Sequence, residues 1–142
     1  MSEWRLYGPL LAHWRERGYH AAASVTDPNG RRVELDVVAF TPDLEDVRIV
    51  EAKVRARGAL LTQCLDRLAL APLVYAAVPE REAEHLLHLA SEGDAAALGL
   101  LAVGPEGVRV LREAEPAGAS PTRGPQAQLH RVLRGLLADG KA

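Results

Sequence analysis

The stretch Glu34-Leu35-Asp36-Val37-Val38-Ala39-Phe40 is followed, after a polar loop from Thr41 to Asp46, by Val47-Arg48-Ile49-Val50-Glu51-Ala52-Lys53. Both segments alternate with a period of two, the mark of a β-strand. Over 32–40, Val33, Leu35, Val37 and Ala39 are expected on one face and Glu34, Asp36, Val38 and Phe40 on the other. Over 47–53, Val47, Ile49, Glu51 and Lys53 share a face, with Arg48, Val50 and Ala52 behind. Each strand carries apolar residues on both faces, so each should be covered on both. If the pair is an antiparallel hairpin centred between Asp43 and Leu44, residues whose numbers sum to 87 stand opposite, which sets Asp36 against Glu51 and Glu34 against Lys53. Opposed side chains sit ~4.5–5.5 Å apart, and two carboxylates there repel unless a cation lies between them. A hard divalent ion fits, since Mg²⁺ takes one or two protein carboxylates and keeps waters that a phosphate can replace.

Outward from this pair, Leu6, Tyr7, Leu10, Leu11 and Trp14 recur at helical spacing over 3–17, although Gly8-Pro9 suits a first turn better than an interior and could delay the regular helix. His20 to Thr26 reads as a strand, turned into the next by Asp27-Pro28-Asn29-Gly30. Arg57 to Leu70 carries an apolar helical stripe that Pro72 ends. Leu73 to Val78 is a buried strand, Pro79 to Ser91 a helix, and Leu98–Val103 and Val108–Leu111 are two strands joined by Gly104-Pro105-Glu106-Gly107. Residues 114–125, with Pro116, Gly118, Pro121, Gly124 and Pro125, read as a flexible linker. Residues 126–142 follow as an amphipathic helix through Leu129, Val132, Leu133, Leu136 and Leu137.

The expected class is therefore α/β: a mixed sheet flanked by helices over residues 1–113, then the linker and a tethered terminal helix. At 142 residues one core is the natural outcome. Apolar residues at 48% and charged residues at 25% exclude a disordered chain. No run nears the ~18 apolar residues of a membrane span and the N-terminus lacks a signal pattern, so a cytoplasmic protein without a membrane partner is expected. Cys64, the one cysteine, admits no internal disulfide or thiolate cluster and is expected in the core. The net charge of −2 argues against indiscriminate coating of nucleic acid. Arginine outnumbers lysine fifteen to two among the 17 basic residues, so the ammonium at Lys53 is a rare choice.

With Glu34-Leu35-Asp36-Val37-Val38-Ala39-Phe40 and Ile49-Val50-Glu51-Ala52-Lys53 in this context, the chain resembles the PD-(D/E)XK nuclease superfamily, the restriction-endonuclease-like fold. Within it the small resolvase-type and RecB-type nuclease domains look most similar. That family's αβββαβ core matches the order read over residues 3–78. The resemblance implies phosphodiester hydrolysis of DNA, with RNA left open, of the kind used in DNA repair, recombination or restriction. It implies Mg²⁺ or Mn²⁺ on Asp36 and Glu51, the Ala52 carbonyl as a further ligand, and Lys53 at the attacking water. Glu3, on the stripe with Tyr7, Leu10 and Trp14, matches the extra acid many members place on the first helix. Gln63 matches a glutamine on the following helix. Two positions depart from the pattern: Leu35 stands where a proline is common, and Arg67 where the fuller motif has a tyrosine four residues after the glutamine.

Plainer readings stand beside these. Asp36, Glu51 and Lys53 also suit a solvated salt-bridge ladder worth ~0–1 kcal/mol. Arg55 and Arg57 suit either a phosphate backbone or a solvated loop. His85 and His88, one helical turn apart between glutamates, read as a solvent face before a metal site. Trp4, Trp14 and Tyr19 read as core aromatics before base-stacking ones. The terminal helix either docks a partner, a second copy included, or folds back over the sheet. Against hydrolysis stands a second function, a nuclease-fold module without catalysis that binds nucleic acid or a protein.

Overall fold

The computed structural model describes residues 3–29, 33–116 and 123–142. Its strands are β1 (His20–Thr26), β2 (Glu34–Phe40), β3 (Val47–Ala52), β4 (Leu73–Pro79), β5 (Gly99–Gly104) and β6 (Gly107–Arg112). Its helices are α1 (Tyr7–Arg15), α2 (Gly58–Arg67), α3 (Ala83–Leu89) and α4 (Arg123–Ala138). The six strands form one sheet in sequence order, antiparallel from β1 to β3, parallel from β3 to β5, and antiparallel again to β6. Parallel neighbours cannot be joined by a tight turn, and α2 and α3 supply the two crossovers. The order is thus helix, three strands, helix, strand, helix, two strands and a terminal helix.

The helices cover both faces. On one, Leu6, Leu10 and Trp14 pack against Val37, Ala39, Val50, Ala52, Tyr75, Ala77 and Leu101. On the other, Leu60, Leu61 and Cys64 of α2, Leu86 of α3, and Leu129 and Leu133 of α4 pack against Val38, Phe40, Ile49, Val74, Val78 and Leu100. A sheet buried on both sides needs apolar residues at successive positions, which is how β2, β4 and β5 read. Cys64 is fully buried, and burial raises its thiol pKa. Among the described residues no helix is long and apolar enough to cross a membrane.

Pro9 falls in the first turn of α1, where a missing N–H costs nothing. The chain ahead of α1 forms a 3₁₀ segment, Glu3–Leu6, so the regular α-helix starts only at Tyr7. Gly18, at φ +89°, stops α1. Part of the predicted linker, residues 117–122, lies outside the described residues, as does Gly30 of the first turn. Residues 123–125 are not linker but the start of α4, again with proline in a first turn. The α4 stripe is used within the chain: Leu129 and Leu133 are fully buried, stabilising its docking by roughly 1.5–3 kcal/mol each. His20 Nδ1 also lies 3.2 Å from the Ala142 oxygen, which ties the chain's end to β1.

One alternation differs from expectation. Leu35 shares the α2-side layer with Val38 and Phe40 instead of lying with Val37 and Ala39. On β1, Ser24 falls between the pairs Ala23–Val37 and Val25–Leu35, with φ +54°. A residue in the left-handed region interrupts the pleat, so Val25 and Leu35 beyond it turn to the α2 side together.

Candidate functional site

The β2–β3 register is Val37–Val50, Val38–Ile49, Ala39–Arg48 and Phe40–Val47, each summing to 87. Continued, it would set Ala52 against Leu35. Instead the Ala52 amide donates to Asp36 Oδ2 at 2.8 Å, so the Asp36 side chain enters the ladder where backbone pairing stops. The other oxygen, Oδ1, accepts from Tyr7 Oη of α1 at 2.7 Å. Burial and the Asp36 carboxylate together raise the Tyr7 phenol above its usual range.

Glu51, also at the end of β3, turns to the α2 layer and is fully buried. Its Oε2 accepts from Gln63 Nε2 at 3.0 Å and its Oε1 from Arg67 Nε at 2.9 Å, both on α2. Burial and the neighbouring Asp36 push its carboxyl up to about 8, outweighing the opposite pull of Arg67. At neutral pH Glu51 thus favours its protonated form, with Arg67 bonded beside it.

Lys53 continues past β3, its amide bonded to the Ala77 carbonyl at 3.0 Å. Its Nζ lies 3.3 Å from Glu3 Oε1, so the 3₁₀ segment ahead of α1 reaches the same end of the sheet. A hydrogen bond from its own backbone amide is the largest influence holding the Glu3 carboxyl below its ordinary value, with Lys53 adding to it. Beside Lys53 a cleft of about 220 Å³ is lined by Arg55, Arg57 and Gln63 with the apolar Val54 and Leu60. Arg55 and Arg57 are exposed, while Ala56 between them is buried and bonded through its amide to Glu82 Oε1 at 2.9 Å.

Glu3, Asp36, Glu51, Lys53 and Gln63 therefore meet at one end of β3, and Arg55 and Arg57 border the same place. Tyr7 and Arg67 join them unforeseen. Arg67 carried a signal, one helical turn after Gln63 on the same face; Tyr7 is likewise one turn beyond Glu3. Among the described residues no three His, Cys, Asp or Glu side chains converge, so Glu3 pairs with Lys53 and does not complete a three-acid cluster; His85 and His88 belong to no such group either. Trp14 and Tyr19 pack edge to face as core aromatics, but Trp4 is 62% exposed, contrary to expectation, because the 3₁₀ segment carries it off the apolar stripe.

The donor chemistry suits a divalent ion. Two adjacent carboxylates offer hard oxygens and lie close enough to disfavour double ionisation, and the Ala52 carbonyl terminates the same strand. Arg67 is the cation now bonded there, and it satisfies only one oxygen of Glu51.

Fold and site together define a mixed α/β protein with a buried acid pair where β2 and β3 part. No family model matches the chain, and no curated protein does. Among solved structures it is similar to a protein of unknown function from Silicibacter pomeroyi, with a TM-score of 0.70 and 15% identity over 98% of this chain and 88% of that one. At that identity the likeness concerns the fold alone.

Proposed function

We propose that this chain is a metal-dependent nuclease of the PD-(D/E)XK superfamily, hydrolysing phosphodiester bonds in DNA. The supporting observation is the meeting of Glu3, Asp36, Glu51, Lys53 and Gln63, drawn from a 3₁₀ segment, two strands and a helix, at one strand end. In this reading Asp36 and Glu51 hold Mg²⁺ or Mn²⁺ together with the Ala52 carbonyl. The ion would supply Lewis-acid stabilisation of the charge that develops on the phosphate. Asp36 is aimed by Tyr7 and the Ala52 amide, and Glu51 by Gln63, so both side chains are held at the strand end, while Glu51 would give up its proton and its bond to Arg67 to an ion. Lys53, with Glu3 as its partner, orients the attacking water and steadies negative charge beside it. Arg55 and Arg57 guide the phosphate backbone to the cleft. The setting is cytoplasmic, as expected from the sequence.

The bond between Arg67 and Glu51 favours a second reading, a nuclease-fold module that binds nucleic acid or a protein without cutting. There the guanidinium would replace the ion permanently. The experiment is incubation of purified protein with plasmid, linear, single-stranded and branched DNA in Mg²⁺ or Mn²⁺, beside Asp36→Ala and Lys53→Ala. Cleavage by the parent alone supports the nuclease. Binding without cleavage by all three supports the module.

A further inference from the structure

The two tryptophans differ sharply. Trp14 is 2% exposed in the α1 layer, whereas Trp4 is 62% exposed. Trp4 directly follows Glu3, whose carboxylate contacts Lys53. The Arg5 guanidinium lies 5.5 Å from its ring centroid. Two residues after Lys53 the exposed Arg55 begins the rim of the apolar cleft, Arg57 continues it, and none of the residues lining that cleft is acidic. An exposed indole next in the chain to Glu3, the partner of Lys53, and two exposed arginines with an apolar hollow beside Lys53 thus belong to segments that meet at one lysine in a chain whose net charge is −2. Aromatic faces beside a basic track are how proteins hold unpaired strands, because every base has a face to stack. A duplex buries those faces in its own stack and offers an indole nothing to cover.

We infer that the site takes an unpaired DNA strand, one base stacked on Trp4 and the adjoining phosphates carried past Lys53 by Arg55 and Arg57. The inference deepens the nuclease reading and rests on it for the identity of the ligand. Its test needs no catalysis.

The test is titration of the full chain with oligothymidylate in chelator, following tryptophan fluorescence and the anisotropy of a labelled strand, beside a duplex of equal length. Saturable quenching is expected in the parent. Trp4→Phe should abolish the quenching, since Trp14 is sealed from the strand, and Trp4→Ala should weaken binding about 5- to 150-fold, the range for loss of one stacked base. Replacing Arg55 and Arg57 by alanine should lower the slope of log affinity on log salt by about 1.4, at ~0.7 per phosphate contact on single strands. The exposed position of Trp4 keeps the fold out of the comparison, which unchanged thermal midpoints would verify. Single-strand affinity indifferent to Trp4→Ala, or no preference over duplex, overturns the inference. Binding through Trp4 without cleavage in Mg²⁺ removes the nuclease reading and leaves this one standing; cleavage confined to duplex does the reverse.

Discussion

Arg67 Nε donates to Glu51 Oε1 across 2.9 Å, with the two side chains only 9% and 0% exposed. Stripping one partner from such a pair typically costs ~3–5 kcal/mol, because the other is left charged and buried. Here Glu51 has an escape, since its carboxyl already favours the proton and would favour it more without Arg67. Arg67→Met should therefore lose only about 3 kcal/mol in chelator, the low end of that range. Added Mg²⁺ should raise the melting temperature of the variant more than that of the parent, by taking over the missing charge. Equal responses to Mg²⁺ would mean that Arg67 does not share the ion's place.

The raised carboxyl of Glu51 gives stability a dependence on pH. Its carboxyl titrates near 4.5 in the unfolded chain and about 8 in the folded one. Between these values the unfolded chain releases a proton that the folded chain keeps, so stability falls as pH rises. The contribution is whole below about 4.5 and lost as pH passes through about 8, at no more than ~1.4 kcal/mol per pH unit. Facing the group are Asp36 from β2 and Gln63, Cys64 and Arg67 from α2. Glu51→Gln copies the protonated acid and should remove this slope, measured as urea midpoints in chelator across the range. Parallel profiles for parent and variant would show that Glu51 is already ionised in the fold.

Gly99 stands beside Tyr75 in the parallel β4–β5 pair, and a Cβ there would come within 2.2 Å of the Tyr75 ring. The ring cannot swing aside easily, because Tyr75 Oη donates to Glu113 Oε2 and accepts from Arg48 Nη1. Gly99→Ala should cost about 3 kcal/mol or more, at the upper end for overpacking. Gly104→Ala on the same strand meets nothing nearer than 3.6 Å and is the control, expected within about 1 kcal/mol of the parent. Chemical denaturation separates the two, and equal midpoints would mean that the Tyr75 packing is slack.

Much of this site is legible in the sequence because alternation and a centred loop fix a hairpin's register, and the sum of 87 that pairs Val37 with Val50 also brings Asp36 to Glu51. What alternation cannot foresee is its own interruption. Ser24 is an ordinary strand residue by type, and only its positive φ reveals why Leu35 leaves the face of Val37. Helical spacing put Glu3 on the stripe, and the family resemblance gave it a place in the site, but Trp4 was misjudged, since a 3₁₀ turn of three residues rotates side chains off a stripe drawn at 3.6. Arg67 illustrates a different limit. Periodicity says which way a side chain on α2 points, while its partner depends on how α2 docks against β3. Composition misread residues 123–125, because a proline and a glycine mark a linker and a helix's first turn alike.

The measurement that bears most directly on the central claim is thermal stability against Mg²⁺ or Mn²⁺ concentration for the parent, Asp36→Asn and Glu51→Gln. An ion that binds the folded chain alone stabilises it by about 2.7 kcal/mol at a hundred times its dissociation constant. A shared ion requires a rising midpoint in the parent and flat curves in both variants, whose side chains keep their shape but lose the charge. A parent that gains nothing, or three curves that rise together, would contradict a shared ion at Asp36 and Glu51.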